Sequence, residues 1–63
     1  MSDFAGKVVV ITGAGSGIGR ALALNLAGQG AKLAISDVDT IGLAETTRLV
    51  EAIGAEVKSD HLD

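Results

Sequence analysis

The first patterned segment reads Lys7-Val8-Val9-Val10-Ile11-Thr12, a β-branched run with no apolar–polar alternation. A strand of that kind is apolar on both faces, which predicts a buried strand of a parallel sheet. Glycines at 13, 15, 17 and 19 then interrupt the run. From Ile18 apolar residues recur at helical spacing through Ala21, Leu22 and Leu26, and Ala23, Leu24 and Ala27 leave that helix little polar surface. Gly28-Gln29-Gly30 predicts its end, with a glycine for the left-handed cap. Lys32-Leu33-Ala34-Ile35-Ser36-Asp37 reads as a second strand. Asp39 or Thr40 then caps a second helix with Leu43, Thr47, Val50 and Ile53 on one stripe, and Gly54 closes it. Glu45, Arg48 and Glu51 fall on a solvated face with an i,i+3 ion pair. Residues 56–62 predict a third strand.

The order β-α-β-α-β is that of an α/β protein with a parallel sheet and right-handed crossovers. Two such crossovers stepping the same way place both helices on one face, leaving the other face of the strands bare and the first strand with an open edge. Parallel sheets are normally covered on both faces. The expectation is that residues 1–63 form the N-terminal part of a single domain, incomplete in isolation. Size agrees, since a domain this small buries only about 60% of the surface its unfolded chain exposes.

Composition narrows the chemistry. The chain has no cysteine and one histidine, which excludes disulfides and Cys- or multi-His metal sites, so no metal is expected. Five basic residues against eight acidic ones give a net charge of −3, which argues against a nucleic-acid surface. The uncharged stretch from Val8 to Gly19 is too short to span a bilayer, and Met1-Ser2-Asp3-Phe4 lacks the basic start of a signal peptide. No membrane partner is expected, and the lack of cysteine fits a cytoplasmic location.

The glycines sit between a strand and a helix. A helix N-terminus presents unpaired N–H groups and a partial positive charge, so it receives phosphate readily. Glycine lets the backbone turn sharply and lets a pyrophosphate approach without meeting a Cβ. The plain alternative is a flexible turn with no ligand. The P-loop spacing fails, because Arg20-Ala21 follows Gly19, and the strict G-x-G-x-x-G spacing ends on Ile18. What fits is T-G-x-x-x-G-x-G, through Thr12, Gly13, Gly17 and Gly19.

Asp37 ends the second strand at about the distance from the loop where dinucleotide folds place the acid that binds the adenosine ribose. Each charge-assisted bond from a ribose hydroxyl contributes about 1.5–3 kcal/mol. The same charge repels a 2′-phosphate by up to ~4 kcal/mol before solvent screening, which leaves about ten- to hundred-fold selection for NAD over NADP. The alternative is that Asp37 only caps the strand–helix turn, with Asp39 sharing the role.

The long glycine spacing resembles the short-chain dehydrogenase/reductase family, and the resemblance runs from Gly6-Lys7 to Asp63. It implies a Rossmann-type sheet of which this chain supplies the first three strands. It also implies pyrophosphate contacts at Ser16 and Ile18, beside Gly13, Gly17 and Gly19, and an adenine contact at Asp63. Neither Ser16 nor Val38, where members preferring NADP often carry a basic residue, is basic here, so the implied cofactor is NAD. The parent activity would be hydride transfer between nicotinamide and an alcohol or carbonyl, in a protein that is often a homo-oligomer.

The catalytic tyrosine and the lysine four residues after it have no counterpart, since the chain contains no tyrosine and its lysines are Lys7, Lys32 and Lys58. No catalytic residue is expected here. A non-catalytic dinucleotide-binding or interaction module is the rival reading. Ser59, Asp60 and His61 are not a hydrolytic triad, because adjacent strand residues point to opposite faces. Arg20 is expected to be solvated, since a helix N-terminus disfavours cations, and Phe4 to plug the base of the sheet.

Overall fold

A computed structural model describes residues 4–62. Its elements follow the expected order: β1 (Val8–Thr12), α1 (Gly17–Gly28), β2 (Lys32–Asp37), α2 (Thr40–Ile53) and β3 (Val57–His61). The three strands form one parallel sheet in the order β1-β2-β3, with Ile11 opposite Ile35 and Ile35 opposite Ser59. Phe4 packs against the core as expected.

Both helices cover the same face. Ile11, Leu33 and Ile35 are buried there beneath Ala23, Leu26 and Ala27 of α1 and Leu43 and Val50 of α2. Burying each large aliphatic side chain in such a layer contributes about 1.5–3 kcal/mol. The other face carries Val8 and Val10, 68% and 72% exposed. The bare face expected from the topology is therefore present, but it is not apolar across all three strands. Its large apolar side chains come from β1, because the sheet register sets Lys32 and the small Ala34 beside the two valines and Lys58 beyond Ala34, and β3 is exposed along most of its length.

Both helix stripes also differ from the periodicity. In α1 the buried residues are Ala23, Leu26 and Ala27, whereas Ile18 is 89% exposed and Ala21 and Leu22 also face outward. The helix is apolar on every side, so spacing alone does not choose its rotation. Gly19 chooses it, because a Cβ there would run into the Gly13 carbonyl, and residues 19, 23, 26 and 27 then share the inner face. In α2 the inner stripe is Leu43, Thr46 and Val50, with Thr46 in place of Thr47 and Ile53 half-exposed at the helix end. Thr46 can be buried because its hydroxyl donates to Ala14 O at 2.7 Å and accepts from Arg20 Nε at 2.8 Å.

Asp39 is the N-cap of α2, its Oδ1 accepting from Gly42 N at 3.0 Å. Gly54 ends that helix in the left-handed conformation, and the Glu45–Arg48 ion pair closes at 2.6 Å on the solvent side. No helix among the described residues is long and apolar enough to cross a membrane.

Candidate functional site

Parallel strands deliver their carboxyl ends to one edge of the sheet, and the glycine loop, the start of α1 and the end of β2 meet there. Ala14 N donates to Ser36 O at 3.1 Å and Leu62 N to Asp37 O at 2.9 Å, so all three strand ends are tied together at this edge.

The glycines of the loop divide into two kinds. Gly13 and Gly17 have φ of +70° and +58°, are exposed, and a Cβ added to either would meet nothing within 4 Å. A side chain at Gly17 would be strained by the backbone and would project into the space above the loop. Gly15 and Gly19 face inward. A Cβ on Gly15 would stand 2.7 Å from Asp37 Oδ2, and one on Gly19 would strike the Gly13 carbonyl.

Ser16 is the N-cap of α1 in extended conformation, and its side chain makes no capping hydrogen bond. No acidic residue lies in the first turn of the helix. The opening N–H groups of α1, at Gly17, Ile18 and Gly19, therefore begin the helix without a Ser16 cap or a competing carboxylate. A helix start of this kind accepts an anion. Ser16 and Ile18 are exposed beside these groups.

Asp37 stands at the inner end of the loop. Its Oδ2 accepts from Gly15 N at 2.7 Å and its Oδ1 from Asp39 N at 3.0 Å. The backbone N–H groups of Asp39 and Gly15, and then that of Val38, hold its carboxyl below the usual value of 3.8, against a smaller opposing effect of burial. A carboxylate offers about four acceptor positions, so these bonds leave lone pairs for hydroxyl donors. Asp37 thus caps the β2–α2 turn, as the plain alternative required, and keeps the capacity to bind a diol.

Arg20 departs from the expectation that it is solvated. Its Nε donates to Thr46 Oγ1 at 2.8 Å, and its Nη2 donates to Gly15 O at 2.6 Å and to Gly42 O at 3.1 Å. Three protein oxygens outweigh the unfavourable position near a helix N-terminus, since hydrogen bonds from a charged donor are about twice as strong as neutral ones. Gly15, Arg20, Gly42 and Thr46 were not singled out as site residues by the sequence. Only the inward-facing glycines hinted at a close approach.

Asp63 lies outside the described residues. His61 Nε2 lies 3.1 Å from Val38 O, an ordinary strand-end contact. Among the described residues, no three of His, Cys, Asp and Glu come together as metal ligands, and no enclosed pocket forms, so the site is an open shelf.

The short chain dehydrogenase family profile matches residues 7–63. A Mycobacterium tuberculosis (strain H37Rv) protein provisionally named oxidoreductase SadH is 75% identical over 63 residues, all of this chain and 23% of its own length. A short chain dehydrogenase/reductase of Burkholderia phymatum, solved in complex with NAD, is 52% identical with a TM-score of 0.92, covering all of this chain and 22% of that one. A metagenomic short-chain oxidoreductase solved in complex with NADP is 37% identical with a TM-score of 0.88, covering 98% of this chain and 28% of that one. The chain therefore spans less than a third of the length of each, and the set includes one protein holding NAD and one holding NADP.

Proposed function

The chain belongs to the short chain dehydrogenase family, and from that membership we propose that it is the N-terminal cofactor-binding part of an oxidoreductase preferring NAD to NADP. The parent reaction is hydride transfer between the nicotinamide and an alcohol or carbonyl substrate. The observation that carries the reading is the Asp37 carboxylate, ionised by backbone N–H groups and standing where the glycine loop meets β2.

Each residue has a task in this reading. The N–H groups of Gly17, Ile18 and Gly19 receive the pyrophosphate, with Ser16 adding its hydroxyl and Gly13 and Gly17 leaving the approach clear of side chains. Asp37 accepts from the ribose hydroxyls and repels a 2′-phosphate, and neither Ser16 nor Val38 supplies a cation to offset that repulsion. Asp63 takes the adenine. When bound, NAD supplies the hydride acceptor. The chain binds and orients it, and no proton-transfer step is assigned to any of these residues, among which there is no tyrosine.

Replacing Asp37 with serine in the intact protein that carries this chain tests the reading. The ratio of NAD to NADP affinity should fall about tenfold or more. An unchanged ratio removes Asp37 from the ribose site. The rival, an interaction module without catalysis, draws its support from the open β1 edge and the exposed Val8 and Val10. Turnover of NAD by the intact protein with any alcohol excludes it.

A further inference from the structure

Arg20 and Thr46 do not line the cofactor-facing shelf, yet their polar groups bond to protein oxygens at its back. Arg20 is half-buried, and its guanidinium draws together Gly15 O in the loop, Gly42 O in the first turn of α2 and the Thr46 hydroxyl. Thr46 is 0% exposed and passes the connection on to Ala14 O at 2.7 Å. Two loop carbonyls and one helix carbonyl thus converge on a single guanidinium–hydroxyl pair. Both peptide units that flank Gly15 are also held: the Ala14–Gly15 unit by its N–H on Asp37 Oδ2 and its carbonyl on the Thr46 hydroxyl, and the Gly15–Ser16 unit by its carbonyl on Arg20.

We propose that Arg20 and Thr46 are positioning residues that set the choice between NAD and NADP by acting through Gly15 on Asp37. The proposal rests on the reading of Asp37 as the ribose acceptor. With the Ala14 carbonyl held by Thr46 and the Gly15 carbonyl by Arg20, the Ala14–Gly15 peptide has one orientation, and its N–H fixes one oxygen of Asp37 while Asp39 N–H fixes the other. The carboxylate is then held in place before the ribose arrives, and binding does not have to order it. Released from Thr46 on one side or Arg20 on the other, the Ala14–Gly15 peptide can turn, and Asp37 loses a partner that both orients it and keeps it ionised. Hydrogen bonds to the ribose diol weaken and repulsion of a 2′-phosphate is relieved, so NAD loses affinity relative to NADP. Arg20 directs its Nε and Nη2 to protein oxygens of the loop and α2.

The test is the ratio of dissociation constants for NAD and NADP, by calorimetry on the intact protein at a temperature where circular dichroism shows every variant folded. Arg20→Met keeps an unbranched apolar stem without the guanidinium donors, and Thr46→Val removes the hydroxyl. Each is expected to narrow the ratio about tenfold, whereas Thr46→Ser, which keeps the hydroxyl, should leave it within about twofold of wild type. A merely structural role would lower the melting temperature and leave the ratio unmoved. Should Arg20→Met fail to fold, Thr46→Val decides. A ratio unchanged in the folded variants, or equal weakening of both cofactors, overturns the proposal while the Asp37 reading survives. A wild-type protein with no preference for NAD overturns both.

Discussion

Gly15 donates its backbone N–H to Asp37 Oδ2 at 2.7 Å, joining the loop after β1 to the last residue of β2. The contact exists because residue 15 has no side chain: a Cβ would fall 2.7 Å from that oxygen and 3.2 Å from Leu43 N. Gly15→Ala should therefore push the carboxylate and the loop apart. The expected result in the intact protein is about a tenfold loss of NAD affinity together with about 1–3 kcal/mol of stability. Calorimetric titration and urea unfolding measure the two.

Gly17 and Gly19 should separate binding from stability. Gly19→Ala sets a methyl group against the Gly13 carbonyl, backbone against backbone, and should cost about 1–3 kcal/mol on urea unfolding. Gly17→Ala meets no atom within 4 Å but holds an L-residue at φ +58°. It should cost about 1–2 kcal/mol in stability, and its larger effect should be on cofactor binding, because the methyl group enters the phosphate approach.

Ile35 lies at the centre of the sheet, flanked by Ile11 and Ser59 and buried beneath the helices. Ile35→Ala should destabilise the intact protein by about 2–5 kcal/mol, read by urea unfolding. Cofactor discrimination should persist in whatever fraction stays folded, since Asp37 and the loop are untouched.

The pH dependence follows from the lowered pKa of Asp37. The N–H of Asp39, then those of Gly15 and Val38, favour its charged form over the unfolded reference of 3.8. Stability from such a group is present above the unfolded value and is lost as pH falls through the lower folded one. Asp37 stays charged from about pH 8 down to the ordinary value of 3.8, so its contribution to the NAD preference should decline only below that value. The 2′-phosphate of NADP, with a second pKa of about 6, loses one charge on the way down and relaxes the repulsion in part. Asp37→Asn should abolish both the preference and its acid decline, checked by titrating both cofactors across that range.

What the sequence disclosed is the part governed by local rules. Val8–Thr12 and Lys32–Asp37 are strands because unbroken β-branched and aliphatic runs suit a buried parallel sheet, and Asp39 and Gly54 bound α2 through cap chemistry. The glycine spacing and Asp37 marked the shelf for the same reason. The rotation of α1 was hidden, because Ile18, Leu22, Leu26 and the alanines offer apolar residues in every direction, and only the contact of Gly19 with Gly13 selects Ala23 and Ala27 for the inside. Thr46 was passed over for Thr47 since the two differ only in what they meet across 32 residues of chain, the Ala14 carbonyl. Arg20 was misread because its partners, Gly15 O, Gly42 O and Thr46, converge only in the folded chain.

The central claim is that the glycine loop and Asp37 together form a shelf for NAD. Titrating the intact protein with NAD and then NADP, while following the backbone amide resonances of Gly17, Ile18 and Gly19, tests it most directly. The account predicts that both cofactors shift these three amides and that NAD binds about ten- to hundred-fold more tightly. Binding that leaves the three amides unmoved, or equal affinity for the two cofactors, would contradict it.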